Sequence, residues 1–243
     1  MNKGVWSIGP TLILALILAA CGPQAADDGT GAAPAQTATN ADPLAGSVPV
    51  MGPQRHILAF GDSLFAGYGV GQEASYPAQL QNALRARGIN AVIGNAGVSG
   101  DTSAAGLARL AFALDAQEQE PDLVILELGG NDLLRGLSPD ETRANLAAML
   151  VELQRRKIAV LIMGMRAPPN YGPEYQAQFD ALYGDLSREY NAALVPFWLE
   201  SIYQKPDLFQ ADRIHPTKDG IETLVGATVE QVAGAIPPVG AET

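Results

Sequence analysis

The sequence predicts an α/β fold, a three-layer αβα sandwich around a five-stranded parallel sheet, on three observations. Short apolar runs of strand length recur along the chain after Arg55. Longer segments with helical spacing of their apolar residues separate these runs. The runs are nearly continuous in hydrophobicity rather than alternating, so both faces of each strand must be covered, and strands that alternate with helices pair in parallel.

The elements follow in order. His56–Phe60 is the first strand and Tyr76–Arg87 the helix after it. Ala91–Asn95 leads into a helix over Thr102–Ala116, where Leu107, Leu110 and Leu114 share a face and read as core. Leu123–Leu128 leads into Pro139–Lys157. There Ser138, Pro139 and Glu141 stand at the spacing of a capping box, and Arg155, Arg156 and Lys157 fill a last turn where the helix dipole favours cations. Ile158–Met163 precedes a helix over Pro173–Tyr190, and Leu194–Pro196 precedes one over Thr217–Ala235. Ligands of such sheets bind beyond the carboxyl ends of the strands, so the loops after each strand are where chemistry belongs.

Composition narrows the function. The chain has 243 residues, 47% of them hydrophobic, and 26 acidic against 15 basic side chains give a net charge of −11. Nucleic-acid binding needs clustered Lys and Arg and is excluded, as is wholesale disorder. At the amino end, Lys3 precedes an apolar stretch, Leu12–Ala20, which is the pattern of a signal peptide and too short to span ~30 Å of hydrocarbon as a stable helix. Leu18-Ala19-Ala20-Cys21 resembles a bacterial lipobox, which implies cleavage before Cys21 and acylation of it; an ordinary secretory signal with a chance cysteine is the alternative. Cys21 is the one cysteine, so no intrachain disulfide or thiolate metal cluster can form. Residues 22–54 contain five Pro, five Gly and eight Ala with only three charges, Asp27, Asp28 and Asp42. Such a linker reaches about 30 Å as flexible coil. The expected organisation is a lipoprotein signal peptide over 1–20, a lipidated Cys and flexible linker over 21–54, a globular domain over 55–237 and a tail over 238–243. Without Lys3 and the three linker aspartates, 14 basic side chains face 23 acidic ones from Arg55 onward, a charge of −9. That charge opposes a peripheral face for anionic lipid, and two or more acyl chains would hold the protein firmly in the cell envelope, facing the periplasm or exterior.

Four loops carry chemistry-bearing residues: Gly61-Asp62-Ser63-Leu64, Ser99-Gly100-Asp101-Thr102, Gly129-Gly130-Asn131-Asp132 and Asp212-Arg213-Ile214-His215-Pro216. Each has a bland reading. Gly-Asp-Ser can be a turn, Asn131-Asp132 a helix cap or Asx turn, and His215 a satisfied structural histidine. Gly94, Gly97 and Gly100 recur every third residue after the second strand, which is not the register of a dinucleotide loop. The other histidine, His56, opens a strand at the end remote from these loops and reads as structural or solvated. Two histidines and scattered carboxylates supply no paired metal ligands, so no metal is expected. The α/β-hydrolase elbow is also disfavoured, because Phe65 stands where its second glycine is required.

Taken together in this order and spacing, the four blocks resemble the SGNH, or GDSL-type, esterase and lipase family, within it the periplasmic thioesterase and arylesterase branch. The resemblance spans roughly Ile57 to Ala235. It implies the flavodoxin-like SGNH-hydrolase version of the sandwich, with Ser63 as nucleophile, His215 as base, Asp212 as its orienting acid, and an oxyanion hole from the backbone N–H groups of Ser63 and Gly100 and the side-chain amide of Asn131. The chemistry suits the residue types: serine needs a base during attack, and imidazole with an unperturbed pKa of ~6.5 supplies one near neutrality. The branch implies hydrolysis of short to medium acyl esters, aryl esters, acyl thioesters and lysophospholipids, with no cofactor and as a monomer. Leu133–Gly136 and Arg166–Tyr175 are expected to flank the acyl groove. A carbohydrate O-deacetylase on the same residues and a non-catalytic surface-binding lipoprotein are the alternatives.

Overall fold

The structure, a computed structural model, describes residues 49–240. The predicted signal peptide, Cys21 and most of the expected linker lie outside the described residues, as do the last three residues. Five strands, β1 (Arg55–Gly61), β2 (Ala91–Gly97), β3 (Leu123–Glu127), β4 (Ala159–Met163) and β5 (Ala193–Val195), form one sheet in the order β2-β1-β3-β4-β5, every neighbouring pair parallel. The αβα sandwich with a five-stranded parallel sheet is therefore as the sequence predicts. Helices α2 (Tyr76–Ala86) and α7 (Lys218–Ala235) pack together, while α5 (Pro139–Arg155) packs against both α3 (Ser103–Asp115) and α6 (Pro173–Tyr190). All five residues of β3 are buried, which explains why that strand reads as an uninterrupted apolar run.

The strand order reverses between β1 and β3, whose carboxyl ends open a crevice at the centre of the sheet. Two one-turn helices stand there, α1 (Ser63–Ala66) after β1 and α4 (Gly130–Leu134) after β3. Neither is foreseen in the sequence, because a single turn is too short to show a period. α1 is held by Phe65, which is buried, stacks on Tyr76 with centroids 5.3 Å apart and meets Trp198 edge-on at 5.7 Å. An aromatic side chain buried in this way stabilises by ~1.5–3 kcal/mol, so the turn that carries Ser63 is anchored two residues later.

Several boundaries differ from expectation for physical reasons. β2 continues through Gly97, because β1 pairs with it as far as Gly61↔Gly97. Glycine is required there: a Cβ on Gly97 would come within 2.4 Å of the Ala66 nitrogen, so α1 can lie against the strand only over a bare backbone. α5 ends at Arg155, Arg156 caps it, and Lys157 takes a left-handed φ of 60°, so only the first of the three expected cations lies in the last turn. Ser138 caps α5 by accepting from the Asp140 N–H at 3.2 Å. Among the described residues, Glu141 makes no reciprocal bond to Ser138, so the cap is half of the predicted box.

Candidate active site

At the crevice the structure brings residues from opposite ends of the domain into line. Ser63 Oγ lies 2.9 Å from His215 Nε2, and His215 Nδ1 lies 2.7 Å from Asp212 Oδ2. Local folding places each of them. Asp62 caps α1, its Oδ1 accepting the Leu64 N–H at 2.9 Å, which aims Ser63 off the first turn. Asp212 Oδ1 accepts the N–H groups of Ile214 and His215 at 2.9 and 3.0 Å, so one carboxylate both folds the loop and orients the imidazole. Desolvation raises the Asp212 pKa, but those two backbone bonds and the His215 ring outweigh it and bring it down to about 2. Tyr68 stacks on the imidazole with centroids 4.2 Å apart. His56 sits far away at the start of β1, its backbone bonded to Asp122.

Two donors at the crevice are unclaimed. Among the described residues the N–H groups of Ser63 and Gly100 have no hydrogen-bond acceptor. Gly100 takes φ +88°, a conformation that a side chain would strain. The Arg135 guanidinium grips its carbonyl at 2.8 Å, and Arg109 ties the same loop to the nucleophile block by bonding the Asp101 carboxylate at 2.5 Å and the Gly61 carbonyl at 3.0 Å. Asn131 is in the pocket with them, but its amide is already engaged: Nδ2 donates to Asp62 Oδ2 and to the Asp101 carbonyl, both at 2.9 Å. The expected third donor is thus in place but turned toward protein acceptors.

Beneath the nucleophile lies a feature that sequence reading missed. Glu127, the last residue of β3, is fully buried, and its Oε2 accepts the Asp62 N–H at 3.2 Å. Burial first, and the Asp62 charge second, push Glu127 well above the usual carboxylate range. Burial also raises Asp62, against the hydrogen bonds from Leu64 and Asn131. Burial and the Asp62 charge both favour the protonated form of Glu127 beneath the Asp62–Asn131 pair. Its place in an apolar run, Leu-Val-Ile-Leu-Glu-Leu, was the available signal.

The crevice opens into a cavity of about 580 Å³ whose walls are largely apolar. Of the segments expected to flank it, Leu133, Leu134, Arg166 and Pro168 do so. Tyr171 and Tyr175 do not: their hydroxyls donate to the Leu133 and Leu137 carbonyls at 2.7 and 2.8 Å, stapling the loop behind the wall. Much of the remaining wall is formed by Phe197, Leu199, Tyr203, Pro206 and Phe209, from the stretch between β5 and α7, which no motif marks.

A hydroxyl, an imidazole and a carboxylate in line at the carboxyl edge of an αβα sheet is the arrangement of hydrolases that work through a serine. Residues 59–222 match the GDSL-like Lipase/Acylhydrolase family, and the chain belongs to that family. It is 43% identical over 160 residues to esterase TesA of Pseudomonas aeruginosa, covering 66% of this chain and 79% of the relative. It is 41% identical over 163 residues to thioesterase 1/protease 1/lysophospholipase L1 of Escherichia coli, covering 67% and 76% respectively. Among solved structures, AlinE4, an SGNH-hydrolase family esterase, superposes with a TM-score of 0.66 at 62% identity over 77% of this chain and all of that one.

Proposed function

We propose that this enzyme is a serine esterase that hydrolyses short to medium acyl and aryl esters, acyl thioesters and lysophospholipids through an acyl-Ser63 intermediate. The observation that carries this reading is the chain of contacts from Ser63 Oγ through His215 to Asp212, at 2.9 and 2.7 Å, opening onto an apolar cavity. His215 Nε2 takes the Ser63 proton as Oγ attacks the carbonyl carbon, and Asp212 holds the tautomer and stabilises the imidazolium. The developing oxyanion meets the free N–H groups of Ser63 and Gly100. A full negative charge also outcompetes the neutral Asp101 carbonyl for one hydrogen of Asn131, since charge-assisted bonds are roughly twice as strong. His215 then passes its proton to the leaving oxygen or sulfur. Water, deprotonated by the same ring, attacks the acyl-enzyme and releases acid and free Ser63. Each CH₂ of the acyl chain buried along the apolar wall contributes ~0.8 kcal/mol.

The names of the relatives, an esterase and a thioesterase/lysophospholipase, support the substrate range. The apolar wall disfavours the carbohydrate deacetylase alternative, because a sugar ring needs convergent polar groups, and the filled catalytic positions disfavour a binding-only role. All three reacting residues come from one chain, which suits a monomer. The Leu18–Cys21 pattern supports a lipid anchor in the cell envelope, which incorporation of labelled palmitate into wild type but not Cys21→Ala tests. Ser63→Ala is the decisive test of catalysis: hydrolysis of 4-nitrophenyl butyrate disappears while circular dichroism is unchanged, and turnover at the wild-type rate would remove the assignment.

A further inference from the structure

His215 must reach the leaving atom to protonate it, so the leaving group lies against the loop that carries His215. That loop is closed by the Arg213 N–H on the Gln210 carbonyl at 3.0 Å and the Gln210 N–H on the His215 carbonyl at 2.7 Å. Arg213 occupies a left-handed φ of 62° within it. An L side chain in this region crowds its own carbonyl, whereas glycine enters it freely. The other non-glycine residues with positive φ among those described, Lys157 and Asn191, sit just beyond the ends of α5 and α6, where helices ordinarily terminate in this conformation. Arg213 ends no helix. Strain of this kind, where a less strained residue was available, points to a use for the side chain.

The surroundings indicate what the use is. Arg213 is among the residues that line the pocket, and among the described residues its side chain has no hydrogen-bond or ion-pair partner. The neighbouring cations are engaged: Arg135 on the Gly100 carbonyl, Arg166 with Glu200 at 3.4 Å and over the Phe197 ring at 5.3 Å. The one carboxylate in the lining, Asp62, is 2% exposed and turned to Leu64 and Asn131. A chain with a charge of −9 from Arg55 onward thus carries an unpaired guanidinium on a residue of the pocket lining, beside the loop where the leaving group must sit, and no free carboxylate in that lining competes with it.

We propose that Arg213 is a specificity-determining residue that binds an anionic group carried by the leaving group of the ester. The assignment rests on the esterase reading above and deepens it. Guanidinium is suited to the role because it stays charged at all working pH values and offers paired donors to an oxyanion. No bond is made or broken by Arg213; it favours one leaving group over another.

The test compares 4-sulfophenyl butyrate with phenyl butyrate, equal in acyl chain and different in charge, on the intact protein. The readout is the ratio of kcat/KM for the sulfonate to that for the neutral ester, from which any general disturbance of the loop cancels. Arg213→Gly suits the backbone, so the variant folds, and the ratio falls by about five- to tenfold, mostly through KM, while Arg213→Lys restores part of it. In wild type the ratio also falls toward that of Arg213→Gly at 1 M salt, where the screening length is about 3 Å. A ratio unchanged by Arg213→Gly, with both esters hydrolysed, overturns the assignment of Arg213 alone. Absence of wild-type turnover on both esters overturns the esterase reading and this assignment with it.

Discussion

The backbone N–H of Asp62 donates to Oε2 of Glu127 at 3.2 Å, which seats a second, fully buried carboxyl group directly beneath the residue that caps the nucleophile helix. Burial and the nearness of Asp62 both push the Glu127 pKa up, while Asp62 keeps its bonds from Leu64 and Asn131.

That pairing ties stability to pH. A carboxyl whose native pKa is raised contributes fully below its ordinary value of 4.5 and loses that contribution as pH climbs toward the native value. Glu127→Gln keeps a carbonyl for the Asp62 N–H, puts its amide where Oε1 has no partner among the described residues, and never ionises. In thermal melts the stability of the variant relative to wild type should therefore be lowest near pH 4 and rise by up to about 1.4 kcal/mol per pH unit above 4.5 until Glu127 itself ionises. A difference that is constant from pH 4 to 8 would refute the raised Glu127 pKa.

Asp212 has the opposite sign. With its native pKa depressed to about 2, its carboxylate contribution is present above the ordinary 3.8 and is lost only as pH falls through about 2. An acid limb of the rate profile above pH 4 therefore does not report Asp212. Asp212→Asn keeps an oxygen for the Ile214 and His215 N–H groups but places an amide donor against Nδ1, turning the ring so that Nε2 carries a hydrogen toward Ser63. Turnover should drop on the order of 10³-fold or more with circular dichroism unchanged. A loss below tenfold would mean that Asp212 does not set the tautomer.

Asn131→Ala removes a donor that is worth most when negative charge develops. Steady-state kinetics should show kcat lowered by ~10²–10³ with KM nearly constant. Were the effect confined to KM, Asn131 would bind the ground state instead.

The sheet and its five long helices were legible in the chain because burial on both faces, as at Leu123–Glu127, requires unbroken apolar runs, and helices longer than two turns display a period. The four polar loops were legible through their order and spacing, which together resemble one family; singly, Ser63, Gly100, Asn131, Asp212 and His215 each admit a structural reading. Three things depended on the folded chain. Asp62 and Glu127 are 65 positions apart, and only the register of β1 against β3 makes one carboxyl the neighbour of the other. Tyr68 meets His215 because the loop before α7 crosses over α1, and the cavity wall from Phe197 to Phe209 has no repeating pattern to read. The amino-acid order determines which residues are apolar, which can cap or turn, and which can exchange a proton. Distance, dehydration and the rivalry of nearby charges arise only when remote segments pack, and these raise the Glu127 pKa, engage Asn131 and leave the Arg213 side chain without a partner among the described residues.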